Sequence, residues 1–223
     1  MDSAVKIVDR KAKIRDTLQI RDCGIVDYKI MLQMQRDLCK ERQRNRIPNT
    51  VLLVEHPPVI TLGARQSRNK MLVNRGDLVK NNIEVVDIRR GGGVTAHNPG
   101  QLVIYPIVNL QQLGLCIREY IRKLELMGSE LLTPLGVQSK GKEDFPGLWI
   151  ENRKIASIGV RVSRFTTYHG MAINIQNDLH IFDYIIPCGL DHVEMTSVLK
   201  ETGKRHSLIE IKKRLASLLR SHF

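Results

Sequence analysis

Strand-like runs and helical stripes follow one another irregularly along this chain, without a strict βαβ alternation, and that order is the tightest constraint on its fold. Ile25, Tyr28, Met31, Leu32, Gln35, Leu38 and Cys39 recur at three-to-four spacing and predict a helix over 25–46, stopped by Pro48. Ile117, Tyr120, Ile121, Leu124, Met127, Glu130 and Leu131 mark a second helix over 117–134, ended by Pro134. A third spans 208–219 behind Ser207, a residue suited to capping it. Strand patterns lie at 51–54, 59–62, 83–88, 102–108 and 171–175. Trp149-Ile150 and Ile155 to Val162 read as a hairpin around Glu151-Asn152-Arg153. Pro106 assigns 102–108 to an edge or a bulge, because proline has no amide to give a ladder. The mixture predicts one mixed-sheet α/β (α+β) domain over residues 1–223, not a helical bundle or a β-sandwich.

Hydrophobic residues at 42% and charged residues at 26% fit a globular protein with one sizeable core. No apolar run approaches the roughly 18 residues of a membrane span. The opening MDSAVKIVDRKAKIRD has no apolar core of a secretory signal, so a cytoplasmic protein without a membrane partner is expected. Net charge is +12. Residues 1–50 hold 12 basic and 7 acidic side chains, and residues 200–223 hold 7 and 2, so each end is +5 and the long middle only +2. Such ends suit an acidic partner, either nucleic acid or an acidic carrier protein, and fit plain solvated charge equally well.

Three segments carry candidate chemistry. Arg89 to Gln101 places Gly91-Gly92-Gly93 at a strand exit, followed by Thr95 and His97; glycines leave backbone amides open to a ligand. Neither a Gly-Lys-Ser/Thr phosphate loop nor a dinucleotide GxGxxG is present. Lys154 enters an otherwise apolar and small-residue strand, Ile155 to Val160. Cys188 stands between Pro187 and Gly189, a turn-like setting that opens the thiol to an electrophile. A nearby cation would make its thiolate available. Cys23, Cys39 and Cys116 form no CxxC pair with it or one another, so no disulfide framework is expected. The histidines have no HxxxH spacing, so no metal is expected; His97 and His169 lie in or beside the marked segments.

Together these segments resemble the bacterial octanoyltransferase family. The matching pieces are Glu55-His56-Pro57-Pro58-Val59 with Thr61-Leu62-Gly63, Arg90-Gly91-Gly92 through Gln101, Pro146-Gly147-Leu148-Trp149, Lys154 to Arg161, His169-Gly170 and Pro187-Cys188-Gly189. The resemblance implies the catalytic fold of biotin and lipoate protein ligases, Cys188 as acyl carrier and Lys154 as the cation that lowers its pKa. It implies acyl-substrate contacts at Arg90, Gly91, Gly92, Gly93, Val94, Thr95, Ala96, His97, Ser157, Ile158, Gly159, Gly170, Met171 and Ala172.

It further implies a two-step octanoyl transfer from the phosphopantetheine of octanoyl-acyl carrier protein. The acceptors would be lipoyl domains of 2-oxoacid dehydrogenase complexes and the glycine cleavage H protein. No ATP, other cofactor or nucleic acid takes part, and a monomer is expected. The family usually carries Gln at Gly93, an aromatic at Ala96 and Gly at Asn98, departures that bear on acyl-chain preference. On this reading Gly93→Gln is tolerated. Two rivals exist: an ATP-dependent lipoate ligase, against which Cys188 counts, and a non-catalytic basic nucleic-acid-binding domain. No known nucleic-acid motif supports the second, and aromatics are only 4%.

Overall fold

The computed structural model describes residues 18–187 and 193–223. Its main sheet joins β1 (Gln19–Ile25), β2 (Thr50–Glu55), β6 (Gln101–Ile107), β9 (Thr166–Asn174), β8 (Arg153–Ser163) and β10 (Glu194–Met195) in that order, with β7 (Gly147–Ile150) paired to β8. A smaller sheet places β3 (Val59–Leu62) between β4 (Glu84–Asp87) and β5 (Thr95–His97). Both sheets mix parallel and antiparallel pairs, as the mixed α/β reading expects.

Strand alternation explains the layers. On β2, Val51 and Leu53 join the core under helices α3 (Ile117–Leu132) and α5 (Leu208–His222), alongside Leu124, Leu131, Ile211 and Leu215. Leu52 and Val54 point the other way, to Met31 and Cys39 of helix α1 (Tyr28–Gln43). An all-apolar strand is what burial on both faces demands. Short helices α2 (Arg75–Lys80) and α4 (Val198–Thr202) complete the set among the described residues.

The predicted first helix is shorter than expected. Asp27 caps it by accepting the amides of Lys29 and Ile30, and Ile25 belongs instead to β1. That strand escaped notice because most of its side chains are exposed and its residues, QIRDCGI, are largely polar. The hairpin at 151–153 is present, with Trp149 opposite Lys154 and Ile150 opposite Arg153.

Pro106 is a correction. Its strand β6 is central, between β2 and β9, although β6–β9 pairing runs only from Gln101↔Asn174 to Ile104↔Met171. Extending that register by two residues sets Pro106 opposite His169. The His169 amide turns away and donates to Gln35 Oε1 on α1 at 2.8 Å, with φ +57°. The ladder resumes where Thr167 donates its amide to Val108 O at 2.9 Å. The β6–β9 ladder is thus interrupted at Pro106, which has no amide to give; its carbonyl accepts the Thr167 hydroxyl at 2.7 Å and the His169 amide is satisfied by Gln35.

Candidate active site

The segment Arg90–Gly93 crosses from the small sheet to β8. Arg90 is buried and staples it in place, donating from Nη2 to Thr61 O at 2.9 Å and Thr61 Oγ1 at 2.8 Å. The Gly91 amide donates to Val160 O at 2.9 Å. Among the described residues, the Gly92 and Gly93 amides have no backbone acceptor, so these two remain available to a ligand. Gly92 has φ +85°, a conformation that glycine tolerates best.

Behind this loop lies a narrow cavity of about 40 Å³. Val94, Val103, Ile158, Met171 and Ala172 supply apolar wall; Tyr28, His97, Tyr105 and His169 supply polar wall. Of the residues expected to contact an acyl group, Arg90, Gly92, Gly93, Val94, Thr95, His97, Ser157, Ile158, Gly159, Gly170, Met171 and Ala172 line it. Gly91 lines the neighbouring cavity instead. Ala96 lines neither: it is wholly buried against Ile60 and Leu78 on the far face of the small sheet. In a strand, residues 95 and 97 share one face and 96 takes the other.

The polar end is a buried network. His56 Nδ1 donates to Val26 O at 2.7 Å, which leaves Nε2 to accept from the Tyr105 hydroxyl at 2.8 Å. The ring of Tyr28 stacks on that of His97. Gln101 Oε1 accepts from His97 Nδ1 at 2.7 Å, and Gln101 Nε2 donates to Asn174 Oδ1 at 2.9 Å. Asn174 Nδ2 in turn donates to Thr196 O at 2.9 Å. Burial lowers the pKa of His56 to about 4. It takes His169 to about 3, with Arg90, Arg36 and Arg161 adding repulsion. His97 is also driven well below its ordinary value, by burial first and by His56 second. All three imidazoles are therefore neutral at pH 7, which suits a cavity with apolar walls.

A second cavity of about 590 Å³ opens on the other side of the loop and shares Gly92, Gly93, Ile158 and Gly159 with the first. Lys154 is in its wall and is 1% exposed. Its ammonium lies 4.9 Å from the centre of the Trp149 ring, a cation–π distance. Gly147 makes room for it: at φ +142°, a Cβ there would come within 2.8 Å of Lys154 Cε and collide with Ala156 O. The Gly147 amide donates to Glu125 Oε1 at 3.0 Å. Burial raises the Glu125 pKa, against opposing effects of that bond, Arg122 and Lys154. The Lys154 backbone is held as well, since Thr196 donates its amide to Lys154 O at 3.0 Å. Cys188, the expected nucleophile, lies outside the described residues, as does Gly189.

A family model described as the lipoyl protein ligase A/B catalytic domain matches residues 27–220. The octanoyltransferase of Syntrophobacter fumaroxidans is 40% identical over 200 residues, covering 90% of this chain and 88% of that protein. The chain belongs to the octanoyltransferase family. Its class of activity is acyl transfer. The mitochondrial octanoyltransferase of Arabidopsis thaliana is 38% identical, over 83% of this chain and 80% of its own length. Among solved structures, lipoate-protein ligase A bound with ATP has a TM-score of 0.69 at 14% identity, covering 93% of this chain and 85% of that one. The biotin protein ligase of Aquifex aeolicus has a TM-score of 0.51 at 13% identity, over 93% and 69% of the two chains. At those identities the likeness establishes the fold.

In this octanoyltransferase-family chain, the motif residue Glu55 and the divergent Asn98 act as scaffold. Glu55 Oε2 accepts the Gly100 amide at 2.9 Å, and Asn98 Nδ2 donates to Asp178 O at 2.8 Å. Both bonds hold the turn after His97. Tyr28, Val103 and Tyr105 line the narrow cavity but were missed in the sequence, because each reads as an ordinary core position on its helix or strand. Gly93 requires a correction. A Cβ there would lie 2.4 Å from Arg68 Cβ or 2.7 Å from its carbonyl carbon, and closer still to its oxygen. The 64–69 segment occupies the space that a residue-93 side chain needs, so Gly93→Gln is not accommodated as the sequence led one to expect.

Proposed function

We propose that this protein moves an octanoyl group from the phosphopantetheine thioester of an acyl carrier protein to a lysine of a lipoyl domain, by way of a thioester on Cys188. The observation that carries the reading is the meeting of two cavities at the glycine loop. One is narrow with apolar walls and neutral histidines; the other contains Lys154 and is open enough for a donor arm. The Cys188 thiolate attacks the thioester carbon, the carbon–sulfur bond to the arm breaks, and the arm's thiolate takes up a proton. The acceptor amine then attacks the Cys188 thioester, an amide bond forms, and the Cys188 sulfur leaves as the amine loses its proton. The thioester step is nearly balanced and amide formation runs downhill, so the cycle needs neither ATP nor a resident cofactor.

The Lys154 ammonium favours the Cys188 thiolate in both steps. The Gly92 and Gly93 amides serve as donors to the tetrahedral oxyanion. The acceptors proposed are lipoyl domains of 2-oxoacid dehydrogenase complexes and the glycine cleavage H protein, served by a cytoplasmic monomer. Intact mass after incubation with octanoyl-carrier protein tests this. A stable gain of one octanoyl group, lost in Cys188→Ser and formed without ATP, is expected. Transfer that requires ATP, or turnover by the Cys188 variant, would overturn it.

A further inference from the structure

We infer that Arg65, Arg68 and Arg161 form a phosphate site at the mouth of the larger cavity, which takes the phosphodiester of the donor's phosphopantetheine arm. All three line that cavity together with Lys154 and Gly91–Gly93. The inference rests on the acyl-transfer reading above and adds where the donor's anionic end is held.

The first observation is the state of these side chains. Several basic groups do find carboxylates: Arg75 pairs with Asp87 at 3.1 Å, Arg153 with Glu201 at 2.8 Å, and Lys212 with Asp22 at 2.9 Å. Among the described residues, the Arg65 and Arg68 side chains form no ion pair or side-chain hydrogen bond. Arg161 gives one Nη1 hydrogen bond to Arg89 O at 3.2 Å and, among the described residues, has no carboxylate partner. Three arginines lining one cavity with no carboxylate paired to any of them among the described residues repel one another unless an anion joins them. The planar guanidinium fork suits phosphate oxygens.

The second observation is how firmly the segment that bears two of them is held. The Arg65 amide donates to Gly92 O at 3.1 Å, and Arg68 O accepts the Val94 amide at 3.1 Å. Asn69 clasps Gly63 twice, accepting its amide at 3.1 Å and donating to its carbonyl at 2.8 Å. Gly93 completes the arrangement, since its missing side chain is the space in which Arg68 sits. The arginine pair is therefore fastened to the glycine loop, whose Gly92 and Gly93 amides have no backbone acceptor among the described residues.

The third observation is polarity across the cavity. Glu143 and Asp144 line the same cavity as the arginines, and Arg122 approaches Glu143 at 4.0 Å. An arm with one anionic end has one favourable end for it, the arginine group. The volume of about 590 Å³ falls within the range of roughly 300–1,000 Å³ usual for small-ligand sites.

The test compares two soluble donors, octanoyl-phosphopantetheine and octanoyl-pantetheine, which differ only in the phosphate. Acylation of Cys188 by octanoyl-pantetheine, followed by mass, reports acyl transfer on its own; the ratio of kcat/KM between the donors reports the phosphate site. The wild-type protein is expected to prefer the phosphorylated donor by about tenfold or more, the usual effect of a charge-assisted contact. Arg68→Gln and Arg161→Gln should each shrink that ratio, and adding Arg65→Gln should bring it near one. Arg68→Lys, which keeps charge but not the fork, should fall between. A wild-type ratio near one would overturn the site, as would variants that slow both donors alike with the ratio preserved.

Discussion

Acidification from pH 7 to pH 5 should destabilise this fold by several kcal/mol, through the buried histidines around the narrow cavity. An unfolded histidine titrates near 6.5. In the fold, burial brings His56 to about 4 and His169 to about 3, and holds His97 well below its ordinary value. The folded pKa is the lower one at each site, so the unfolded chain binds more protons and stability rises with pH across the window. The contribution is complete above about 6.5 and is lost as pH falls toward the folded values. Linkage gives a loss of about 2 kcal/mol per histidine between pH 7 and pH 5, so the three together remove about 5–6 kcal/mol. That is comparable with the whole stability of many domains, about 5–15 kcal/mol. Glu201, held low first of all by its bond to Arg153, loses its share only below about 4, outside this window. Urea unfolding at pH 7, 6 and 5 measures the slope, and His169→Gln should flatten it by about one third. A midpoint that stays constant from pH 7 to pH 5, or a slope unchanged by His169→Gln, would refute the burial argument.

Gly93→Gln should lower the unfolding temperature by roughly 4–8 °C, from about 2 kcal/mol of overpacking against Arg68. An unshifted transition in circular dichroism would show that the 64–69 segment yields freely. Lys154→Ala should move the pH profile of Cys188 alkylation upward, because a cation that favours the thiolate has been removed. An unchanged profile would assign Lys154 another task. Cys188→Ser should abolish octanoyl transfer, whereas Ser at Cys23, Cys39 or Cys116 should preserve it in the same mass assay. The Michaelis constant for the carrier protein should rise with salt, since screening weakens surface steering; a flat response would argue against charge capture.

What the sequence revealed depended on how local the signal was. The long helices were legible because Tyr28 and Leu32, or Leu124, Met127 and Leu131, repeat at helical spacing, each set within one core cluster. The meeting of Val94 and His97 at one narrow cavity was legible through the motif. Ala96 was misassigned because a motif run does not say which face of β5 a residue takes. Pro106 was misread because the groups at and opposite it find side-chain partners that a local pattern does not show: its carbonyl takes the Thr167 hydroxyl, and the His169 amide goes to Gln35, 134 positions away. Charge counting was misleading too. The middle of the chain is nearly neutral by count, yet it holds Arg65, Arg68 and Arg161 at one cavity mouth. Lys212, in the basic C-terminal end, is instead engaged by Asp22 at 2.9 Å and Glu55 at 3.6 Å.

The β7–β8 hairpin restricts where this chain can change length. The pairing slips between Leu148↔Ala156 and Trp149↔Lys154, so Ile155 is an extra residue in β8 at that point. Below the slip, Lys154 faces inward while its neighbour Arg153 reaches Glu201 at 2.8 Å near the surface. Inserting one residue in the turn at 151–152 would carry Arg153 to the position that Lys154 now holds, because strand faces alternate with a period of two. A guanidinium would enter the cavity and the ammonium would leave it, with little change in composition or fold. The two-residue turn, Glu151-Asn152, therefore sets which cation lines the larger cavity.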